Sequence, residues 1–256
     1  VAQPTGGAAV QGDQHSQYRQ HISGQFNAEL DAMKNHLLEM GGLVEQQLGR
    51  AVEAILQRNS GEAEAVIAAD REINDMELQI DEECLRILAR RQPAASDLRL
   101  VLAVAKSTTD LERIGDEASK IARQAINLSE LPPSSAATRE LRLLGALVGA
   151  MLRDTLDCFA RLDVGQAIDV VLDDSRVDEC YNAAIVSLKE LMRQDPSSIS
   201  PVLYEMWALR GLERVGDHAT NIAEQVVYLV QGVDVRHMRP DELKDLKASV
   251  SVKPGL

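Results

Sequence analysis

Apolar side chains recur along most of this chain at steps of three and four residues, the spacing that gathers them on one face of an α-helix. Leu111, Ile114, Ala118, Ile121, Ala125 and Leu128 form one such series, and Leu212, Val215, Ala219, Ile222, Val226 and Leu229 form another in the same register. Both have the 3, 4, 3, 4, 3 rhythm of a bundle seam. Helix breakers and caps interrupt the pattern at Asn59-Ser60-Gly61, Gln92-Pro93, Leu131 to Ser135, Val164-Gly165 and Asp195 to Ser198. The spacing therefore predicts six long helices, near residues 24–58, 62–91, 94–129, 136–163, 166–194 and 199–231. Connections this short make consecutive helices antiparallel neighbours.

The pattern is also duplicated. Leu-Glu-Arg-Ile-Gly-Asp at Leu111 to Asp116 returns as Leu-Glu-Arg-Val-Gly-Asp at Leu212 to Asp217, and 8 of the 13 residues from Leu111 to Arg123 are identical at an offset of 101. Asp70-Arg-Glu-Ile and Asp174-Ser-Arg-Val precede them at an offset of 104. Self-similarity at a fixed period marks repeated supersecondary units. The expected fold is all-α: two tandem, duplicated three-helix bundles, six long antiparallel helices in all. The first bundle is placed at residues 22–131 and the second at 132–232. Residues 1–21 read as a disordered N-terminal arm, and residues 233–256 as a polar C-terminal tail.

Composition narrows the function. Aromatic residues are 3% of the chain against 45% hydrophobic overall, a balance that favours helices over strands. A formal charge of −13 argues against a nucleic-acid partner, which needs a basic footprint, and suits cations or basic surfaces. Cys84, Cys158 and Cys180 are odd in number and widely spaced, so neither a disulfide framework nor a Cys-based zinc site is expected. The longest apolar run, Leu143 to Leu152, is too short to cross a bilayer, and residues 1–20 lack the apolar core of a signal peptide. A cytoplasmic setting is expected, with membrane contact only through partners.

Candidate chemistry lies in carboxylates. Glu112 and Asp116 are four residues apart, as are Glu213 and Asp217, so each pair shares a helix face and repels itself unless a cation or basic side chain intervenes. That face points away from the seam, so all four are expected to be exposed, with Arg113 and Arg214 nearby as salt-bridge partners. A solvated helix face is the bland reading, and repetition in register strengthens the functional one. Gly115 and Gly216, costly inside helices, point to close approach by a neighbouring helix or ligand. Asp70 and Glu77 in the second helix, and Asp173, Asp174 and Asp178 in the fifth, add further acids. Asp174 falls in an otherwise apolar series and needs a partner, while Asn74 stands where the second copy has Asp178. An all-oxygen set suits Mg²⁺, Ca²⁺, Mn²⁺ or iron. His218 reads as an exposed or packing side chain rather than a ligand. The Glu-x-x-His signature of di-iron bundles is absent, as are a P-loop, a dinucleotide fingerprint and a nucleophile elbow, so the chain is expected not to be an enzyme.

Taken together, the duplicated bundles, the Glu-Arg-[Ile/Val]-Gly-Asp motifs and the stretch Arg-Gln-Pro-Ala-Ala-Ser-Asp-Leu-Arg at Arg91 to Arg99 resemble the PhoU family of phosphate-signalling proteins over roughly residues 22–232. The resemblance implies metal binding at Glu112, Asp116, Glu213 and Asp217, with Asp174 and Asp178 as a further Asp-x-x-x-Asp and Asp70 beside them. The metal is left open among Mg, Mn, Fe and Zn, and Asn74 breaks the first copy's pattern. It also implies a cytoplasmic negative regulator of the phosphate starvation response. Such a protein would be an adaptor between the cytoplasmic ATPase of the high-affinity phosphate ABC transporter and a sensor histidine kinase. A homodimer is expected, and no nucleic acid. A metal-dependent enzyme, for example a phosphohydrolase, and a metal-storage bundle remain the alternatives.

Overall fold

The computed structural model describes residues 10–132 and 137–251, with side-chain surroundings from residue 24 to residue 250 of that span. Seven helices account for nearly all of it: α1 (Val10–Gln57), α2 (Ser60–Arg91), α3 (Ala95–Ser129), α4 (Thr138–Arg161), α5 (Val164–Gln194), α6 (Ile199–Gln231) and α7 (Pro240–Ser251), with one 3-10 turn at Pro196–Ser198. The six predicted helices fall within a few residues of α1 to α6 except at the start of α1.

Local chemistry explains the boundaries, and it repeats. Asn59 caps α2 by accepting from the Glu62 N–H at 3.1 Å, and Asp163 caps α5 by accepting from the Gln166 N–H at 3.0 Å. Both take up an otherwise orphaned first-turn donor. α6 ends on Gly232 at φ 69°, the left-handed conformation that glycine adopts without strain.

α1, α2 and α3 pack on one another, as do α4, α5 and α6. The two triads then meet through α3 on α6 and α1 on α4. Four helices thus form a central ring, α1–α3–α6–α4, flanked by α2 on one side and α5 on the other. The predicted seams lie inside it: Leu111, Ile114, Ala118, Ile121, Leu212, Val215, Ala219 and Ile222 are at most 1% exposed.

The crossing of α1 and α4 shows how symmetric the join is. A Cβ on Gly41 would meet Leu156 Cδ2 at 2.4 Å, and one on Gly145 would meet Val52 Cγ1 at 2.9 Å. An offset of 104 carries Gly41 to Gly145 and Val52 to Leu156, so a single contact is used twice about a pseudo-two-fold axis.

Two expectations at the ends need correction. Residues 1–9 lie outside the described residues, but the backbone is helical from Val10, within the arm expected to be disordered; from Val10 to Phe26 the sequence has two glycines, Gly12 and Gly24, and no proline. The polar tail contains α7, which opens with Pro240, carries Asp241 and Glu242 in its first turn and packs on α5. Leu243 is buried there, Leu246 and Val250 pack beside it, and Lys247 Nζ lies 2.5 Å from Asp169 Oδ1. Pro at a first helical position followed by a 3- and 4-residue apolar step is a helix signal that the polar composition concealed.

Close helix approach yields a stability test. Gly145→Ala should lower the thermal midpoint through a cost of about 1–3 kcal/mol, because the β-branched Val52 has no alternative rotamer to yield with. Gly49→Ala, with nothing within 4 Å of the added Cβ, should stabilise by up to about 1 kcal/mol. Thermal melts followed by circular dichroism compare the two directly.

Candidate carboxylate site

The motif carboxylates stand in two grooves, one on each side of the α3–α6 pair. In the first bundle Glu112 feels the charges of Asp116 and Asp70, and Glu77 on α2 feels Glu112 and Asp116, so these four acids from two helices share the α2–α3 groove. In the second, Asp217 and Glu213 feel Asp178 on α5, and Asp174 feels both Asp217 and Asp178. Asn74 is exposed in the first bundle where Asp178 is exposed in the second, and Glu77 stands where the second copy has Tyr181, so each groove holds four acids in a different arrangement.

Their exposure departs from expectation. Asp217 is exposed, Asp116 and Glu112 are partly covered, and Glu213 is buried at 7% exposure. The reason is the ring: α3 and α6 are central helices with partners on three sides, so α2 and α5 close over faces that a peripheral helix would leave in water. Desolvation is accordingly the first cause raising the carboxyls of Glu112, Asp174, Glu213 and Asp217 above their ordinary values, followed by neighbouring carboxylates for Glu112, Glu213 and Asp217. For Asp174 a hydrogen bond from Thr220 Oγ1, at 3.1 Å, opposes the rise and supplies the partner its position demanded.

The glycines are accounted for by helix packing. A Cβ at Gly115 would lie 3.2 Å from both Ile73 Cδ1 and Gln47 Oε1, and one at Gly216 would lie 3.1 Å from Val177 Cγ1. Ile73 and Val177 are equivalents at an offset of 104. Gln47, 3% exposed, ties three helices together by donating to Asp70 Oδ1 at 3.1 Å, Val66 O at 3.3 Å and Ser119 Oγ at 3.4 Å.

Arginines pair otherwise than expected. Arg210, not Arg214, bonds Glu213, while Arg214 reaches across to Glu117 at 3.3 Å. Lys120 stands 3.7 Å from Asp116, and Arg113 makes no ion pair among the described residues. His218 is buried rather than exposed, with Nδ1 2.9 Å from Asp110 Oδ1, and Asn221 Nδ2 donates to the same oxygen at 3.1 Å. It is a packing histidine between α3 and α6.

A resident cation is testable against this geometry. Glu213 Oε2 is buried without a hydrogen-bond partner among the described residues, beside three further carboxylates. A buried, unpaired carboxylate oxygen in an all-oxygen set is what a hard cation would satisfy, so the donor chemistry fits. Among the described residues no three His, Cys, Asp or Glu side chains already converge on one point, so the side chains would have to move to ligate. The three cysteines offer no alternative: all are free, and burial pushes the Cys84 and Cys158 thiols up to about 12.

Sequence reasoning missed Glu205, although the α6 seam extended seven residues back from Leu212 lands on it. Glu205 is 3% exposed, accepts from the Ala137 N–H at the start of α4, and has Oε2 unpartnered. Burial pushes its carboxyl up to about 7. It also missed the exposed stripe Ile199, Leu203 and Trp207, four residues apart on α6.

These features define a class: paired three-helix bundles with a twinned Glu-x-x-x-Asp motif on the central helix of each. The PhoU domain family matches residues 37–125 and 141–226, one match per bundle. A phosphate-specific transport system accessory protein PhoU homolog from Pseudomonas putida is 56% identical over 218 residues, covering 85% of each chain. The Escherichia coli accessory protein PhoU is 43% identical over 228 residues, 89% of this chain and 94% of that one. The crystal structure of PhoU from Pseudomonas aeruginosa superposes with a TM-score of 0.80 at 54% identity, covering 81% of this chain and all of that one. The phosphate transport system regulatory protein PhoU from Streptococcus pneumoniae gives 0.76 at 31% identity, covering 82% and 99%. The chain belongs to the PhoU family.

Glu205 supplies a pH test. Its folded value lies above the ordinary 4.5, so its contribution is present in full below that value and is lost as pH rises through about 7. Glu112, Asp174, Glu213 and Asp217 shift in the same direction. The thermal midpoint should fall between about pH 5 and about pH 8, and Glu205→Gln should restore about 2 kcal/mol at the upper end with little effect at the lower.

Proposed function

We propose that this chain is an accessory protein of a phosphate-specific transport system, acting in the cytoplasm as a negative regulator of the phosphate starvation response. In that role it is an adaptor between the transporter's cytoplasmic ATPase and a sensor histidine kinase, and it carries no catalytic activity of its own. The observation that supports it best is the match of a PhoU domain to each bundle, together with relatives named as transport-system accessory proteins across 85% or more of this chain. No helix among the described residues is long and apolar enough to cross a membrane, so membrane proximity would come through partners. Homodimerisation belongs to the same proposal.

Metal binding is part of the reading. Glu213, Asp217, Asp174 and Asp178 would hold a hard cation in the second bundle, and Glu112, Asp116 and Asp70 one in the first, where Asn74 stands in the place of Asp178. A bound cation would cancel the repulsion within each groove and pin α2 to α3, or α5 to α6. Metal analysis of natively purified protein by mass spectrometry should find a divalent or iron-type ion. Asp217→Ala and Asp116→Ala should weaken its retention by about tenfold or more each, equivalent to about 1.4 kcal/mol. Absence of bound metal even after incubation with Mg²⁺, Mn²⁺ and Fe²⁺ would leave the grooves as salt-bridged helix faces.

The adaptor role has its own test. Trp207 is the sole tryptophan and is 57% exposed, so its fluorescence reports on events at the α6 surface. Affinity capture with the transporter ATPase and the kinase cytoplasmic domain should retain both, and saturable change in Trp207 emission would place docking near α6. Retention of neither partner would overturn the adaptor. Metal-dependent hydrolysis of a phosphoester, lost in Asp217→Ala, would favour the enzyme reading instead.

A further inference from the structure

The pseudo-two-fold symmetry of α3 and α6 is broken where His218 stands opposite Glu117, and the break leaves Arg113 without the ion pair that Arg214 makes. An offset of 101 carries Arg113 to Arg214, Glu117 to His218 and Asp110 to Gly211. On one side of the axis Arg214 pairs with Glu117, which is 4% exposed and also bonded by Lys120 at 3.0 Å. On the other side the carboxylate that would take Arg113 is replaced by His218, itself held by Asp110. Arg113 is exposed and makes no ion pair among the described residues. Two turns back on the same helix, Lys106 is also exposed, makes no ion pair among the described residues and lies 6.0 Å from the Tyr228 ring.

Both cations line one groove of about 530 Å³ between α3 and α6, which runs into a smaller hollow of about 150 Å³ sharing Lys106, Glu224, Gln225 and Arg236. The larger volume is within the range of small-molecule sites. Most acids in the lining are already engaged. Asp110 accepts from Asn221 and contacts His218, Asp234 is taken by Arg236, and burial pushes Glu224 up to about 7. Asp81 remains as the opposing charge, against Lys106 and Arg113 with Arg236 close by. The groove sets three cations, Lys106, Arg113 and Arg236, beside three acids, Asp81, Asp110 and Glu224, so on a chain of net charge −13 it is a locally balanced surface.

Seven residues of helix separate Lys106 from Arg113 by about 10 Å of axial rise. One orthophosphate is too small to bridge that distance in full, whereas a chain of phosphates spreads its charge over a comparable length. Arg113 offers a planar donor fork and Lys106 a point charge, the two usual ways of holding phosphoryl oxygens. We propose that the α3–α6 groove is a binding site for an oligophosphate-bearing small molecule, such as a nucleoside triphosphate, held between Lys106 and Arg113. The site adjoins the α2–α3 carboxylate groove, where Glu77 and Glu112 feel the charge of Arg113, but it does not depend on metal being bound there.

Isothermal titration of the full chain with ATP, tripolyphosphate and orthophosphate, in buffer containing EDTA, tests this directly. Saturable binding of ATP or tripolyphosphate, with orthophosphate much weaker, is expected. Lys106→Ala and Arg113→Gln should each weaken it at least tenfold while leaving the helical signal unchanged, and Arg214→Gln, the symmetry-related control, should leave affinity unchanged. Equal binding of ATP and tripolyphosphate would assign recognition to the phosphate chain, and binding of ATP alone would add a contribution from the nucleoside. No saturable binding of either at millimolar concentration, or an equal loss in Arg214→Gln, would overturn the proposal. Because chelator is present throughout, loss of the carboxylate metal sites would not alter the outcome.

Discussion

The antiparallel packing of α3 on α6 is the constraint from which the rest of the structure follows. These two helices carry the duplicated motif, and each must satisfy a partner in its own bundle as well as its twin. Small residues make that possible: Ala118, Ala122, Ala219 and Ala223 are fully buried, and a Cβ on Gly211 would lie 3.1 Å from Ile121. With both helices central, their remaining faces are covered by α2 and α5, so the carboxylates end up in grooves instead of on an open surface. Desolvation then does what simple like-charge repulsion would not, raising Glu112 and Glu213 through burial first and neighbouring charge second.

This explains which features were legible in the sequence and which were not. The six bundle helices, the seam residues and the boundaries at Asn59, Asp163 and Gly232 follow from local chemistry, because caps and 3–4 periodicity act within a few residues. The exposure of Glu213 did not follow. A helical-wheel argument from Leu212 and Val215 assigns one buried face, and only the fusion of two bundles adds the second. For His218 the sequence left an exposed and a packing position both open, and its burial could not follow for the same reason, since its partner Asp110 is 108 residues away. The pairing of Arg214 with Glu117 instead of its own motif is likewise a tertiary choice between carboxylates that sequence spacing ranks as equal. α7 was missed on different grounds: its polar composition outweighed an apolar step of only three residues, Leu243, Leu246 and Val250.

Duplication preserved geometry more strictly than chemistry. Gly41 and Gly145, Ile73 and Val177, Asn59 and Asp163 keep equivalent jobs in the two copies, since each is fixed by backbone approach or by an orphaned N–H. Polar positions drifted. Gln47, which knits α1, α2 and α3 together, corresponds to Met151 at an offset of 104, so the second bundle lacks the amide that holds Asp70. Asp174 turns to Thr220 instead. The two carboxylate grooves are therefore built on different supports, one with an internal amide clamp and one with an unpaired Glu213 oxygen.

That asymmetry gives the two grooves different reasons to respond to a cation. In the first bundle Asp70 is already held by Gln47, and a cation would add to an arrangement that is largely satisfied. In the second, the unpaired Oε2 of Glu213 and the mutual repulsion among Asp174, Asp178 and Asp217 leave more unfavourable electrostatics for a cation to relieve. A cation there would act on α5 and α6 together, and α6 is the helix that carries Trp207 and forms half of the central crossing. Movement of α5 against α6 is also movement of α7, which among the described residues packs on α5. On the proposed metal-binding reading, the second bundle would be the half of the molecule in which a bound cation alters the exposed surface of α5 and α7, with the first, braced by Gln47, as the frame.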